Sequence, residues 1–165
     1  MGRYRPPQKR GSTYITAEGY DRLQAEYKDL WQKRAHVTKI LAAAAAEGDR
    51  SENAEYIYRK KQLREIDRRV RYLQKRLDEL HVVRHRPDDA SRVFFGAWVE
   101  LENEQDETQR YRIVGPDEFN CEPGYISMDA PLAQALLGKS ADDEVRVRLP
   151  SGEKYFCIIS IHYPE

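Results

Sequence analysis

Two long runs of heptad spacing, separated by one short break, constrain this chain more than any other feature. In the first run Tyr20, Leu23, Tyr27, Leu30, Val37, Leu41 and Ala44 recur at alternating steps of three and four, with Arg34 filling one slot. In the second, Tyr56, Leu63, Leu73 and Leu77 interleave with Ile66, Val70 and Leu80. This spacing gathers apolar side chains on one stripe of a helix, and such a stripe needs a facing one. Gly48 breaks the pattern, and a link this short folds two helices back as an antiparallel hairpin. Folding at Gly48 and Asp49 sets Leu41 near Tyr56, Leu30 near Ile66, and Leu23 near Leu73 or Leu77, so the seams meet throughout. Each helix of about 30 residues would be roughly 45 Å long. Thr16 is placed to cap the first helix, with Glu18 in its favourable first turn.

A two-helix rod has much surface and little interior. Charged residues at 34% against apolar residues at 40% fit such an elongated part. The rod needs support at its base, and the rest of the chain reads as a second domain. Residues 82–92 form a polar linker broken by Pro87. Beyond it the periodicity changes to that of strands at 93–101, 108–114, 125–128, 144–149 and 155–163, with a turn at 150–153. One short helix fits 131–137, with Pro131 at a tolerated first-turn position. The predicted fold class is α+β: a long antiparallel coiled-coil hairpin at 14–81, its acidic tip at 47–56, then a small antiparallel β-domain with one short helix at 93–165. Residues 1–13, with Pro6, Pro7, Gly2 and Gly11, read as a flexible basic tail.

Several function classes fall away. No stretch approaches the ~20 apolar residues of a membrane span. The basic start of the chain has no apolar run behind it, so it does not read as a secretory signal. Cys121 and Cys157 have neither metal spacing nor a disulfide framework, and Cys157 in its apolar run reads as a buried thiol. A reducing cytoplasm fits. The formal net charge of zero conceals a division: residues 1–86 carry 21 Lys and Arg against 12 Asp and Glu, for +9, and the remainder carries 7 against 16, for −9. The basic half suits phosphates, whereas the acidic half suits neither nucleic acid nor an anionic membrane.

Two readings compete at the tip, whose sequence is Glu47-Gly48-Asp49-Arg50-Ser51-Glu52-Asn53-Ala54-Glu55-Tyr56. Asp49 with Glu52 fits an acidic variant of the capping box, and Ser51 could be the cap instead. Acids there also favour the helix dipole. Alternatively, two carboxylates one turn apart at the end of a thin rod form half of a Mg²⁺ site. Such a half-site makes sense if a partner brings the remaining ligands and a substrate phosphate. Asn53 and Tyr56 could support the tip, although Tyr56 also serves the seam. Behind the tip, Arg59, Lys60, Lys61, Arg64, Arg68, Arg69, Arg71, Lys75 and Arg76 stand against only Glu65 and Asp67. A solvated helix face normally mixes signs, so this lopsided one suits contact with phosphates. In the second domain, Asp129-Ala130-Pro131 reads as an N-cap followed by proline.

The motif GDRSENAEY resembles the tip signature of the Gre family of bacterial transcript-cleavage factors. YRKKQLREIDRRVRYLQKRL is similar to the second coiled-coil helix of the family's GreB branch, and VFFGAWVELEN, YRIVGPDE and YISMDAPLAQALLGK to that branch's FKBP-like C-terminal domain. The likeness runs through residues 14–163 in order, departing at 1–13 and, mildly, at Ala130, where the family often has Ser. The resemblance implies a monomeric accessory factor for RNA polymerase whose hairpin enters the secondary channel. Asp49 and Glu52 match the family's acidic pair, which helps to hold a Mg²⁺ shared with the polymerase and to orient water against backtracked nascent RNA. It implies that Lys60, Lys61, Arg68 and Arg69 contact that RNA, and that Asp129 and Pro131 grip a coiled coil at the channel rim. An FKBP-like fold does not by itself confer prolyl isomerase activity. Two other classes compete with this one: a non-catalytic channel binder, which a missing acid pair would favour, and a plain coiled-coil adaptor, which a longer or degenerate tip would favour.

Overall fold

The computed structural model describes residues 11–47 and 54–164. These divide into a helical unit, Glu18–Leu80, and a β-unit made of residues up to Ala17 together with His81 onward.

The helical unit holds α1 (Ala17–Ala46) and α2 (Ala54–Glu79). Five consecutive alanines end α1 in a run of the strongest helix former, and Glu18 lies in its first turn. The expected seam is present. Val37, Ile66 and Val70 are buried together, with Tyr27, Leu30, Leu41 and Leu63 packed against them. The anomalous Arg34 does not enter this seam as a bare charge, because its Nε lies 2.7 Å from Asp67 Oδ1 on α2. Arg69 of α2 reaches Glu26 of α1 from the other side, at 2.7 and 3.0 Å. A partner number that rises along α2 as it falls along α1 marks the helices as antiparallel.

The β-unit is built on a five-stranded sheet in the order β5-β4-β3-β7-β6. Its strands are β3 (Trp98–Asn103), β4 (Thr108–Val114), β5 (Tyr125–Ser127), β6 (Glu144–Leu149) and β7 (Gly152–His162). All neighbours are antiparallel except β4 and β5, which run parallel, so the sheet is mixed rather than wholly antiparallel. Alternation along β3 and β6 sends Val99, Leu101, Val145 and Val147 inward, where they meet Ile113, Ile158 and Tyr163. Helix α3 (Pro131–Leu136) closes this core with Ala133 and Leu136. Tyr163 fastens the chain where it enters the sheet: its hydroxyl donates to the Arg92 carbonyl at 2.5 Å and accepts the Phe94 N–H at 2.8 Å. Cys157 is half-buried rather than buried, and Cys121 is exposed.

Two expected boundaries move. Tyr14–Thr16 form a strand, β1, paired in parallel with β2 (His81–Val83), so the start of the expected coiled-coil domain and of the expected linker belong to the β-unit. The expected tail, 1–13, is also divided, since Ser12 and Thr13 are hydrogen-bonded to Asp129 and His81 while 1–10 lie outside the described residues. The segment 11–16 crosses the β-unit as a strap. Ile15 is wholly buried, and Glu118, only 2% exposed, accepts hydrogen bonds from Thr16 N–H at 2.8 Å, from the Thr16 hydroxyl, and from Gly115 N–H at 2.9 Å. Thr16, expected as a helix cap, thus donates its hydroxyl to a carboxylate 102 residues away. Gly115 is required there, because a Cβ at that position would lie 2.1 Å from the Tyr14 carbonyl oxygen.

Candidate functional site

Three groups of residues carry the function expected from the sequence. The first, the tip acids Asp49 and Glu52 with Asn53, lies outside the described residues. The described helices on either side end at Ala46 and begin at Ala54. Tyr56, in the first turn of α2, is half-buried, and the Lys60 ammonium lies 5.7 Å from its ring centre. Among the described residues no cluster of three His, Cys, Asp or Glu could hold a metal ion.

The second group is the basic face of α2. An ideal helix turns about 100° per residue. On that geometry Lys60, Arg71, Arg64, Lys75, Arg68 and Lys61 fall within an arc of about 100°, opposite the stripe of Leu63, Ile66, Val70, Leu73 and Leu77. All six are exposed. Arg69 stands apart from them. It lies toward the seam, its guanidinium bridges both oxygens of Glu26, and it stacks 5.2 Å from the Tyr72 ring centre. Of the four cations expected to meet RNA, Lys60, Lys61 and Arg68 share the open face, and Arg69, also exposed, is paired with Glu26 across the seam.

The third group lies where β5 gives way to α3. Pro131 occupies the first turn of α3, and both Asp129 and Pro131 are exposed. Asp129 is not the N-cap: Ala130 holds that position and makes no side-chain cap bond. The Asp129 carboxylate turns instead to the strap. Its Oδ2 accepts the Ser12 N–H at 2.9 Å, and its Oδ1 accepts the Ser12 hydroxyl. Sequence reasoning missed Ser12 and Glu118. A contact spanning 117 residues leaves no local spacing or motif by which it could be found.

The family model described as "Transcription elongation factor, N-terminal" matches residues 13–82, and the one described as "Transcription elongation factor, GreA/GreB, C-term" matches 87–163. The chain belongs to the GreA/GreB family. Its relatives include the transcription elongation factor GreB of Pseudomonas aeruginosa, 58% identical over 99% of this chain and 98% of the relative. The transcription elongation factor GreB of Xanthomonas axonopodis pv. citri is 59% identical over the same shares. Among solved structures, GreA factor homolog 1 of Thermus thermophilus is 25% identical, with a TM-score of 0.42 over 92% of this chain and 99% of that one. Residues 83–86 separate the two matches; the first takes in both helices, and the second takes in the five-stranded sheet. Among the described residues no helix is long and apolar enough to cross a membrane.

Proposed function

We propose that this chain binds bacterial RNA polymerase in the cytoplasm, inserts its helical hairpin into the secondary channel, and stimulates Mg²⁺-dependent endonucleolytic cleavage of backtracked nascent RNA, acting as a monomeric accessory factor. The observation that carries this reading is membership of the GreA/GreB family along nearly the whole chain, with an Asp49/Glu52 pair between two long helices. A rod about one helix pair wide can carry a charge into a narrow channel, where a compact domain cannot go. Asp49 and Glu52 would offer two oxygen ligands toward a metal whose other ligands come from the polymerase, with Asn53 and Tyr56 supporting the turn. Two-metal phosphodiester hydrolysis divides activation of the attacking oxygen and stabilisation of the leaving oxygen between two ions, and Asp49 and Glu52 would help to hold the second of them beside the one held by the polymerase. Lys60, Lys61 and Arg68, with Arg69 in a supporting place beside Glu26, would lie along the extruded RNA and neutralise its phosphates. Asp129 and Pro131 would grip the channel rim. Both acids being present favours cleavage over a purely blocking channel binder.

A purified backtracked elongation complex tests the reading. Asp49→Ala and Glu52→Ala should each abolish stimulated cleavage at limiting Mg²⁺ while polymerase binding stays near that of the parent chain. Cleavage like the parent's by either variant would refute the metal assignment. Equal loss of binding and cleavage would leave these acids as structural caps only.

A further inference from the structure

The carboxylate assigned to docking is not a freely turning side chain. Ser12 holds both of its oxygens, one through its backbone N–H at 2.9 Å and the other through its hydroxyl. The Asp129 N–H in turn donates to Ser127 Oγ at 3.1 Å, so the residue is fixed at both ends. Gly11 completes the fit: a Cβ there would lie 2.9 Å from Asp129 Oδ2 and 2.9 Å from Pro116 Cγ. Ser12 is itself held in place. Four residues on, Thr16 makes the same pair of bonds, N–H and hydroxyl, to the buried Glu118. The Thr13 carbonyl accepts the His81 N–H at 2.8 Å. The strap therefore grips the β-unit at two carboxylates, one buried and one exposed.

Burial alone accounts for the Glu118 clamp, which satisfies polar groups in the interior. It does not account for the Asp129 clamp, because an exposed carboxylate is already satisfied by water. An ionised carboxylate offers about four acceptor directions. Ser12 uses one on each oxygen, leaving one on each for a partner. An aspartate so fixed has little rotamer freedom left to lose on binding, and this raises affinity without adding a contact.

We propose that Ser12 is a positioning residue for polymerase docking: it orients the Asp129 carboxylate toward the donors of the channel rim. This rests on the docking role of Asp129 proposed above. Ser12 touches no reacting atom, so its effect belongs to binding and not to the cleavage step. The opposite reading of the same contact, a strap that masks Asp129 and must be displaced, makes the opposite prediction.

The test uses the full chain and a backtracked elongation complex, with cleavage followed as the factor is titrated. Ser12→Ala should raise the half-saturating concentration by about three- to tenfold, the order expected for losing one charge-assisted hydrogen bond and its ordering effect, with the saturated rate unchanged. Ser12→Thr keeps the hydroxyl and should restore the parent value. Gly11→Ala, which crowds Asp129 Oδ2, should behave like Ser12→Ala. In an Asp129→Ala background, Ser12→Ala should add nothing, because it acts only through that carboxylate. An unchanged or lowered half-saturation for Ser12→Ala overturns the proposal, the latter in favour of masking. An equal rise in the Asp129→Ala background overturns it too, leaving Ser12 as part of the fold. If Asp129→Ala itself leaves half-saturation unchanged, the docking assignment fails first, and that outcome is distinct from all of these.

Discussion

Glu118 offers the sharpest test of how the strap is held. It is 2% exposed, and three donors converge on it: Thr16 N–H, the Thr16 hydroxyl and Gly115 N–H. Glu118→Ala would remove the acceptor from all three. Each buried donor left unpaired costs about 1–3 kcal/mol, so the expected loss for three is about 3–9 kcal/mol, toward the low end if water enters the gap. Glu118→Gln keeps the volume and one carbonyl oxygen. That oxygen can serve both N–H groups, and the threonine hydroxyl can rotate to accept from the new amide. Only the charge assistance is lost, so the cost should be about 1 kcal/mol. Since the chain has two units, a global unfolding curve would blur the effect. Trp31 lies in α1 and is 46% exposed, so Trp31→Phe leaves Trp98 as a fluorescence reporter of the β-unit alone. Urea titration in that background should show the β-unit midpoint falling by more than about 1 M for Glu118→Ala and by well under that for Glu118→Gln. Equal losses for the two variants, or less than about 1 kcal/mol for Glu118→Ala, would refute the view that convergent hydrogen bonding fastens the strap.

Two further expectations concern charge. Reversing Lys60, Lys61 and Arg68 to Glu should reduce cleavage of long extruded RNA, flatten its salt dependence and spare both short extruded RNA and helicity. Arg69→Glu should instead face Glu26 with a like charge and lower the melting temperature of the helices. If the two sets of variants act alike in RNA cleavage and in circular dichroism, Arg69 belongs with the RNA face after all. Burial pushes the Tyr163 hydroxyl above its ordinary value of 10.0, opposed by the Phe94 N–H and aided by the Asp89 charge. The folded β-unit therefore holds this proton more tightly than the unfolded chain does. Its contribution is full below the unfolded value and is lost as pH rises from about 10 through the folded value. Tyr163→Phe should be less stable near neutrality but lose less on going to high pH, and the same urea titrations at several pH values would check it. A slope equal to the parent's would exclude Tyr163 as the group responsible.

The helices were legible because their signal is local and repeated. Heptad spacing names the seam, alanines and charge complete the helices, and Val37, Ile66 and Val70 meet where the spacing sets them. Strands such as 108–114 and 144–149 were legible for the same reason, since alternation is a property of neighbours in sequence. The acidic pair was legible as chemistry with two readings, cap and metal ligand, and it lies outside the described residues. Tertiary structure alone decided what depends on residues distant in the chain. Thr16 has the form of a helix cap, yet a carboxylate at 118 takes its hydroxyl. Asp129 has the form of a cap as well, yet Ser12 claims it. Arg69 reads as one cation among many until Glu26 is seen across the seam. In each case the side chain had a local role in principle, and a residue distant in the chain is its observed partner. The sequence settles which groups must be paired, and only the fold settles with whom.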